Sequence, residues 1–331
     1  MAASEFHSNA RITAIGTYVP ERILTNEDLE QMVDTNHEWI VQRTGIVERR
    51  IAADDQYCSD LCYGAVRSLL ENYPVTVEDV DYILVATSTP DTFFPSVASR
   101  VQAYFGIQAA GAVDLQAACA GFVSALQVAN GLLLSGAYRK ILVIGAETLS
   151  KITDYTDRTT CILFGDGAGA VLVEPGDEGT FVGSYAITDG SAGHHLYRSS
   201  LSPTIGSSEI RQTGHIVQNG REVYKWAVTR IPEGIQQLLA SAGLSVHDID
   251  WFIPHSANLR IIESICERTG IPMEHTLHSL VYNGNTSAAS IPLALHAGVK
   301  DGRVQPGNLL LLYGFGGGLT QAALVVKWSI T

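Results

Sequence analysis

A chain of 331 residues, 46% of them hydrophobic and with a mean hydropathy of +0.13, can bury one large core or two ordinary ones. A formal net charge of −13 excludes a general nucleic-acid binder, which needs a basic surface to neutralise phosphates, so any acidic partner must meet a local basic patch. The longest apolar runs, Ile141–Ala146 and Leu309–Tyr313, fall far short of the ~20 residues that span a bilayer, and Met1–Ala10 lacks the regions of a signal peptide. That segment reads as a disordered leader, and no membrane insertion and a cytoplasmic location are expected. In chain order, the patterning predicts a strand at 11–17, helices at 26–33 and 59–71, a strand at 81–87 and a helix at 96–105. A strand at 111–117 then runs into a helix at 119–135, followed by strands at 141–146, 168–173 and 181–187. A long helix at 222–242, a strand at 251–254, helices at 258–268 and 287–299, and strands at 309–313 and 321–328 complete an α/β pattern.

Two segments echo each other in order. Val77–Val85 (VEDVDYILV) resembles Val246–Pro254 (VHDIDWFIP), and Phe164–Val173 (FGDGAGAVLV) resembles Phe315–Leu324 (FGGGLTQAAL). The echoes predict a duplicated α/β unit, residues 1–175 and 176–331, whose halves pack face to face.

The five cysteines are odd in number and show no paired Cys-x-x-Cys spacing, so a reduced compartment without a zinc site is expected. Cys58, Cys62, Cys161 and Cys266 read as inert packing, and His194-His195 lacks spaced partners for a metal. Cys119 differs because it falls where an apolar strand ends and a helix begins. The helix dipole and unpaired backbone N–H groups there favour a thiolate, predicting a pKa below the ~8.5 of free cysteine. Small neighbours, Ala117, Ala118, Ala120 and Gly121, leave the Cys119 N–H open to an oxyanion. His255 follows the strand Trp251–Pro254, and Asn285 lies in a glycine turn before a small-residue helix. The repeat would bring the Cys119 turn of one half against His255 and Asn285 of the other. Gly165–Gly169 precedes a strand rather than opening a helix, which excludes a dinucleotide fingerprint, and no G-x-S-x-G elbow is present.

The chain resembles the β-ketoacyl-acyl-carrier-protein synthase III family of initiating condensing enzymes, within the thiolase superfamily. The likeness runs from Ile12 to Trp328 and rests on Asp34–Gly45 (DTNHEWIVQRTG), Ala117–Phe122 (AACAGF), Phe164–Gly169 (FGDGAG), Gly284–Ser290 (GNTSAAS) and Gly314–Thr320 (GFGGGLT). The resemblance implies a five-layered αβαβα sandwich, a homodimer and a catalytic set of Cys119, His255 and Asn285. It further implies an oxyanion hole from the Cys119 and Gly317 amides, a malonyl-site gate at Phe315, and no cofactor, coenzyme A thioester being a substrate. Coenzyme A contacts are implied at Trp39, Arg43, Thr44, Arg158, Gly220 and Asn258, with adenine between Trp39 and Arg158. Phe94 matches the position that closes the partner's primer pocket across the dimer. Acyl carrier protein is expected to dock on Arg221, Lys225 and Arg260, although Glu263 and Glu267 oppose that patch. Ser256 and Gln321 depart from the commonest family pattern, and His255–Asn258 with Tyr224–Ala227 looks most like a second type from Gram-positive, spore-forming bacteria. Decarboxylating condensation of a short acyl-CoA, straight or branched, with malonyl-carrier protein to start fatty acid synthesis is therefore expected. A Cys-His acyltransferase or thioesterase, a synthase of the same family in specialised metabolism, and a non-catalytic acyl-binding subunit are the alternatives. Retention of all three polar residues argues against the last.

Overall fold

Strands without polar alternation need cover on both faces, and this chain supplies it by stacking two sheets with three layers of helix. The structure, a computed structural model, describes residues 6–330. Its first sheet contains β1 (Ala10–Tyr18), β2 (Tyr82–Ala86), β3 (Gly111–Leu115), β4 (Ile141–Thr148) and β5 (Asp166–Pro175), in the order β1-β5-β4-β2-β3. The second contains β6 (Phe181–Thr188), β7 (Trp251–Pro254), β8 (Leu309–Gly316) and β9 (Thr320–Lys327), in the order β7-β8-β9-β6. The sheets share one plan. β2 runs parallel to β4, which is antiparallel to β5, which is antiparallel to β1; β7, β8, β9 and β6 repeat those relations. The place of β3 is held in the second sheet by a single parallel bridge between Phe252 and Thr276.

Helices α1 (His37–Thr44), α2 (Cys58–Asn72), α3 (Val97–Tyr104), α4 (Gly121–Leu134), α5 (Gly220–Ser241), α6 (Leu259–Thr269) and α7 (Ser290–Lys300) supply the other layers. α2 and α3 bury Leu61, Val66 and Val101 against the outer face of the first sheet. α4 and α7 fill the centre, where Phe122, Leu126, Ile291 and Leu295 meet residues from both sheets. α5 and α6 cover the second sheet through Ile231, Leu238 and Ile262. Each such aliphatic side chain, fully buried, contributes roughly 1.5–3 kcal/mol of transfer free energy. The thiolase-like αβαβα sandwich is thus present, with β5 ending at Pro175 in one sheet and β6 starting at Phe181 in the other.

Several local expectations need correcting. The helices expected from 119 and 287 start at Gly121 and Ser290, because Ala118–Ala120 and Ser287–Ala289 form 3-10 turns instead. The helix expected at 26–33 ends at Glu30. Patterning also missed α1, although its stops are written in the sequence: Asn36 Oδ1 caps Trp39 N at 2.8 Å, and Gly45 ends it at φ 77°. The strands Arg22–Thr25 and Glu48–Ile51, which pair with each other, were missed for want of length. Of the expected leader, residues 1–5 lie outside the described residues. Its remainder is tied down, Ser8 Oγ donating to Asn130 Oδ1 at 2.7 Å and Ala10 pairing with Pro175.

Candidate active site

Cys119 sits in the middle of the turn Ala118–Ala120, between β3 and α4. Ala118 adopts φ 45°, a left-handed conformation costing an L-residue roughly 1–2 kcal/mol, and this turn aims the next side chain inward. Ser287 repeats the device at φ 49° in the turn before α7. β8 passes close to the thiol: a Cβ on Gly316 would lie 2.8 Å from Cys119 Sγ, so only glycine fits.

His255 leaves β7 with its N–H donating to Tyr313 O at 2.8 Å. Its ring is 1% exposed and meets Phe315 edge-on at 5.3 Å. Ser290 Oγ accepts from Ser256 N at 3.2 Å and lies 2.8 Å from His255 Nδ1. The hydroxyl thus keeps its proton and a second lone pair, either of which can engage Nδ1, and the contact holds the ring in place. Burial pushes the His255 pKa down to about 3, opposed only in part by a backbone contact with Ser287, so the ring is neutral near pH 7. Asn285 is oriented similarly. Its backbone bonds Leu163 O at 2.8 Å and Gly165 N at 3.0 Å, and its Oδ1 accepts from Ser287 N at 2.9 Å. The Nδ2 amide is left to donate, with no partner among the described residues.

A carboxylate stands behind the thiol. Glu147, at the end of β4, is fully buried; its Oε2 accepts from Thr89 Oγ1 at 2.8 Å and Ser88 N at 3.0 Å, and its Oε1 from Ser287 Oγ at 3.0 Å. Burial raises its pKa to about 7 against those bonds. The thiolate expected at Cys119 is opposed by burial. Burial pushes the thiol up to about 12, with Glu147 adding to the rise, and this outweighs the Ser287 hydroxyl and the Cys119 N–H, which pull it down.

Cys119, His255, Asn285 and Ser287 form the floor of a cavity of about 1680 Å³. Its wall brings together Trp39, Arg43, Thr44, Arg158, Gly220 and Asn258, and Arg221, Arg260, Phe315 and Gly317 also line it. Lys225 and Phe94 do not; Phe94 is 86% exposed elsewhere on the surface. Six arginines and no Asp or Glu line the cavity, a local basic wall on an acidic chain, and two of them, Arg198 and Arg211, carry no signal in the sequence pattern. Arg158 stacks 4.7 Å over the Trp39 ring and lies 3.5 Å from Asp34, so a purine enters between them only if the guanidinium swings away. Thr44 and Asn258 already have structural work. Thr44 Oγ1 donates to Ile40 O at 2.7 Å, and Asn258 Oδ1 caps Arg260 N at 2.8 Å. Arg260 is paired with Glu263 at 2.5 Å. The two departures from the family pattern have partners of their own: Ser256 Oγ accepts from Ser279 N at 2.9 Å, and Gln321 Oε1 from Tyr313 OH at 2.6 Å.

Comparison with known proteins gives a consistent result. Residues 113–190 match the family model described as 3-oxoacyl-[acyl-carrier-protein] synthase III, and residues 239–328 match its C-terminal counterpart. The chain is 60% identical to beta-ketoacyl-[acyl-carrier-protein] synthase III 2 of Halalkalibacterium halodurans, over 98% of each chain. It is 56% identical to the protein of that name from Bacillus cereus, over 98% of this chain and 99% of the other. The crystal structure of the synthase III of Thermus thermophilus superposes with a TM-score of 0.93 at 46% identity, covering 97% of this chain and 99% of that one.

Proposed function

The chain belongs to the β-ketoacyl-acyl-carrier-protein synthase III family and is a condensing acyltransferase of fatty acid synthesis, and from that premise we propose how its residues divide the reaction. Cys119 takes the acyl group from acyl-CoA, and the backbone amides of Cys119 and Gly317 hold the tetrahedral oxyanion until coenzyme A leaves. Malonyl-carrier protein follows. His255 Nε2–H and Asn285 Nδ2–H then donate to the malonyl thioester oxygen and stabilise the enolate formed as carbon dioxide departs. The carbanion attacks the acyl-cysteine, giving the β-ketoacyl product. Neither step calls on a metal or redox cofactor. What carries this reading is the meeting of one thiol, one imidazole and one oriented amide N–H donor in one cavity.

The arginine-lined wall suits the phosphates of coenzyme A and of a carrier's pantetheine arm, with Trp39 and Arg158 as a clamp for adenine. Arg221 and Arg260 at the cavity, with Lys225 on the same helix as Arg221, are the docking surface we assign to acyl carrier protein. A homodimer is favoured by the open edge of β3 and by exposed Phe93 and Phe94, and Phe94 would close the partner's primer pocket. A cytoplasmic location fits five free cysteines and the absence of any described helix long and apolar enough to cross a membrane. We place the junction of the two halves between Pro175 and Phe181, and kinship with the relatives from Bacillus-type bacteria supports short branched primers for this chain.

The experiment is to supply acyl-CoA and carboxyl-labelled malonyl-carrier protein together. Acyl-CoA-dependent release of labelled carbon dioxide with β-ketoacyl product is expected, whereas free acid without carbon dioxide would make the protein a thioesterase. Isobutyryl-CoA should serve at least as well as acetyl-CoA; a tenfold preference for acetyl-CoA in kcat/KM would reject the branched-primer reading alone.

A further inference from the structure

Arg49 is among the largest fully buried side chains, and among the described residues no carboxylate lies within ion-pair reach of it. Burying a cation without a counter-charge is unfavourable, and burial lowers this pKa only to about 10, so the guanidinium is charged at neutral pH. Its fork reaches backbone and amide oxygens in two directions instead. Nη1 donates to Leu24 O at 3.2 Å and to Asn26 Oδ1 at 2.8 Å, and Nη2 donates to Ile162 O at 2.8 Å. Asn26 is itself buried and fixed, its Nδ2 donating to Ile46 O at 2.9 Å, so one end of the fork is anchored beside the paired strands Arg22–Thr25 and Glu48–Ile51. The other end holds the start of the segment Ile162–Gly165. That segment is the one to which Asn285 is attached. Asn285 N donates to Leu163 O at 2.8 Å, Gly165 N donates to Asn285 O at 3.0 Å, and Phe164 bridges Asn285 in parallel. The Arg49 stem backs both sides of that bridge: a Cβ on Gly165 would lie 3.1 Å from Arg49 Cβ, and one on Gly284 would lie 3.0 Å from it. Arg49 itself does not line the cavity, and none of its hydrogen bonds reaches the Cys119 turn.

We propose that Arg49 is a positioning residue for the decarboxylating half of the reaction: its guanidinium pins Ile162 and, through the backbone of Leu163 and Gly165, sets where the Asn285 amide meets the malonyl thioester oxygen. The inference rests on Asn285 being a donor to the enolate. A neutral side chain of the same length would fill the space but could not supply donors in two directions, so the segment Ile162–Gly165 would lose its link to Asn26 and Leu24. A displacement of about 1 Å in a reacting group costs on the order of 10²-fold in rate, which makes a remote peg of this kind visible in the kinetics. Acylation of Cys119, on a separate turn, is left nearly intact.

The test measures single-turnover acylation by acyl-CoA and carbon dioxide release from malonyl-carrier protein separately, in Arg49→Met, Arg49→Lys, Asn285→Ala and the double variant Arg49→Lys with Asn285→Ala. Arg49→Met should acylate within about threefold of wild type but release carbon dioxide about a hundredfold more slowly, in kcat rather than KM. Arg49→Lys keeps the charge and a single donor group, and should recover part of that loss, ending about tenfold below wild type. Should Arg49→Met not fold, the lysine variant decides by the same split between half-reactions. In the Asn285→Ala background, Arg49→Lys should slow carbon dioxide release by less than about twofold more, because both changes act on one path. Wild-type carbon dioxide release in the Arg49 variants, equal slowing of both half-reactions, or a full further tenfold loss in the double variant would each overturn the positioning role. Wild-type carbon dioxide release in Asn285→Ala alone is a separate failure, removing the Asn285 role and the inference built on it.

Discussion

The two turns that open the central helices share a backbone and differ in chemistry. Ala118–Ala120 and Ser287–Ala289 both start on a left-handed residue, both run through a 3-10 turn, and both lead into a helix buried between the sheets. In the first half the turn carries the proposed nucleophile, Cys119, among alanines. The second half carries donors: Asn285 just before the turn, Ser287 within it and Ser290 just after it. On the proposed duplication and residue roles, one strained platform serves twice, and the halves divide electrophile capture from enolate stabilisation. The strain of about 1–2 kcal/mol at each left-handed residue is held in place by packing on both sides.

The sharpest way to break this division is to remove each chemistry in turn. Cys119→Ala should lose acyl-enzyme formation completely by mass spectrometry. His255→Ala and Asn285→Ala should retain it but slow carbon dioxide release by about 10²–10³-fold, the usual cost of one oxyanion donor. Equal loss of both half-reactions in Asn285→Ala would erase the distinction. A smaller effect is expected from Gly316→Ala, whose Cβ would fall 2.8 Å from Cys119 Sγ. Overpacking of about 1–3 kcal/mol should appear as a lower Tm, and acylation should suffer more than enolate formation because the contact is with the thiol.

The halves should also fail at opposite ends of the pH scale. His255 has a folded pKa of about 3 against 6.5, so the unfolded chain binds its proton first and stability drains away as pH falls from about 6.5 towards 3. Glu147 has the reverse sign. Its folded pKa of about 7 lies above 4.5, so its contribution is present at low pH and is lost as pH rises from about 4.5 through 7. Calorimetry should show the Tm of Glu147→Gln gaining on wild type between pH 5 and 8, and that of His255→Ala gaining between pH 7 and 4. Curves that stay parallel to wild type would remove both assignments. The smallest effect belongs to the mouth: Arg158→Ala should raise the KM for acyl-CoA about two- to fivefold with kcat little changed, the worth of one exposed cation–π contact.

That Cys119, His255 and Asn285 meet at one cavity was legible because each stands at a change of local pattern, where an apolar run meets small residues. The positions of the long strands were legible too, uninterrupted aliphatic runs announcing burial on both faces. Glu147 was hidden by that very rule. It closes a fully buried strand, where a carboxylate resembles the polar end of an apolar run until Thr89 and Ser287 are folded against it. Ser287 and Ser290 lay inside a recognised motif, yet their tasks depend on partners 140 and 35 residues away. The rise in the thiol pKa was not legible because a helix start can be read along the chain, whereas the desolvation that opposes it comes from strands and turns distant in sequence. Arg198 and Arg211 come from short strands and loops between α4 and α5 whose pairing has no periodic signal.

Asn285 exchanges backbone hydrogen bonds with Leu163 and Gly165, so the residue proposed to orient the enolate is also a rivet between polypeptide segments more than a hundred positions apart. A rivet of that kind does not breathe independently. The Asn285 and Gly165 amides should exchange with deuterated solvent only when the whole molecule unfolds, while amides around the cavity mouth exchange through local opening. Turnover, on this view, cannot be tuned by loosening the floor, and the slow motions that admit and release a long pantetheine arm must be confined to the rim.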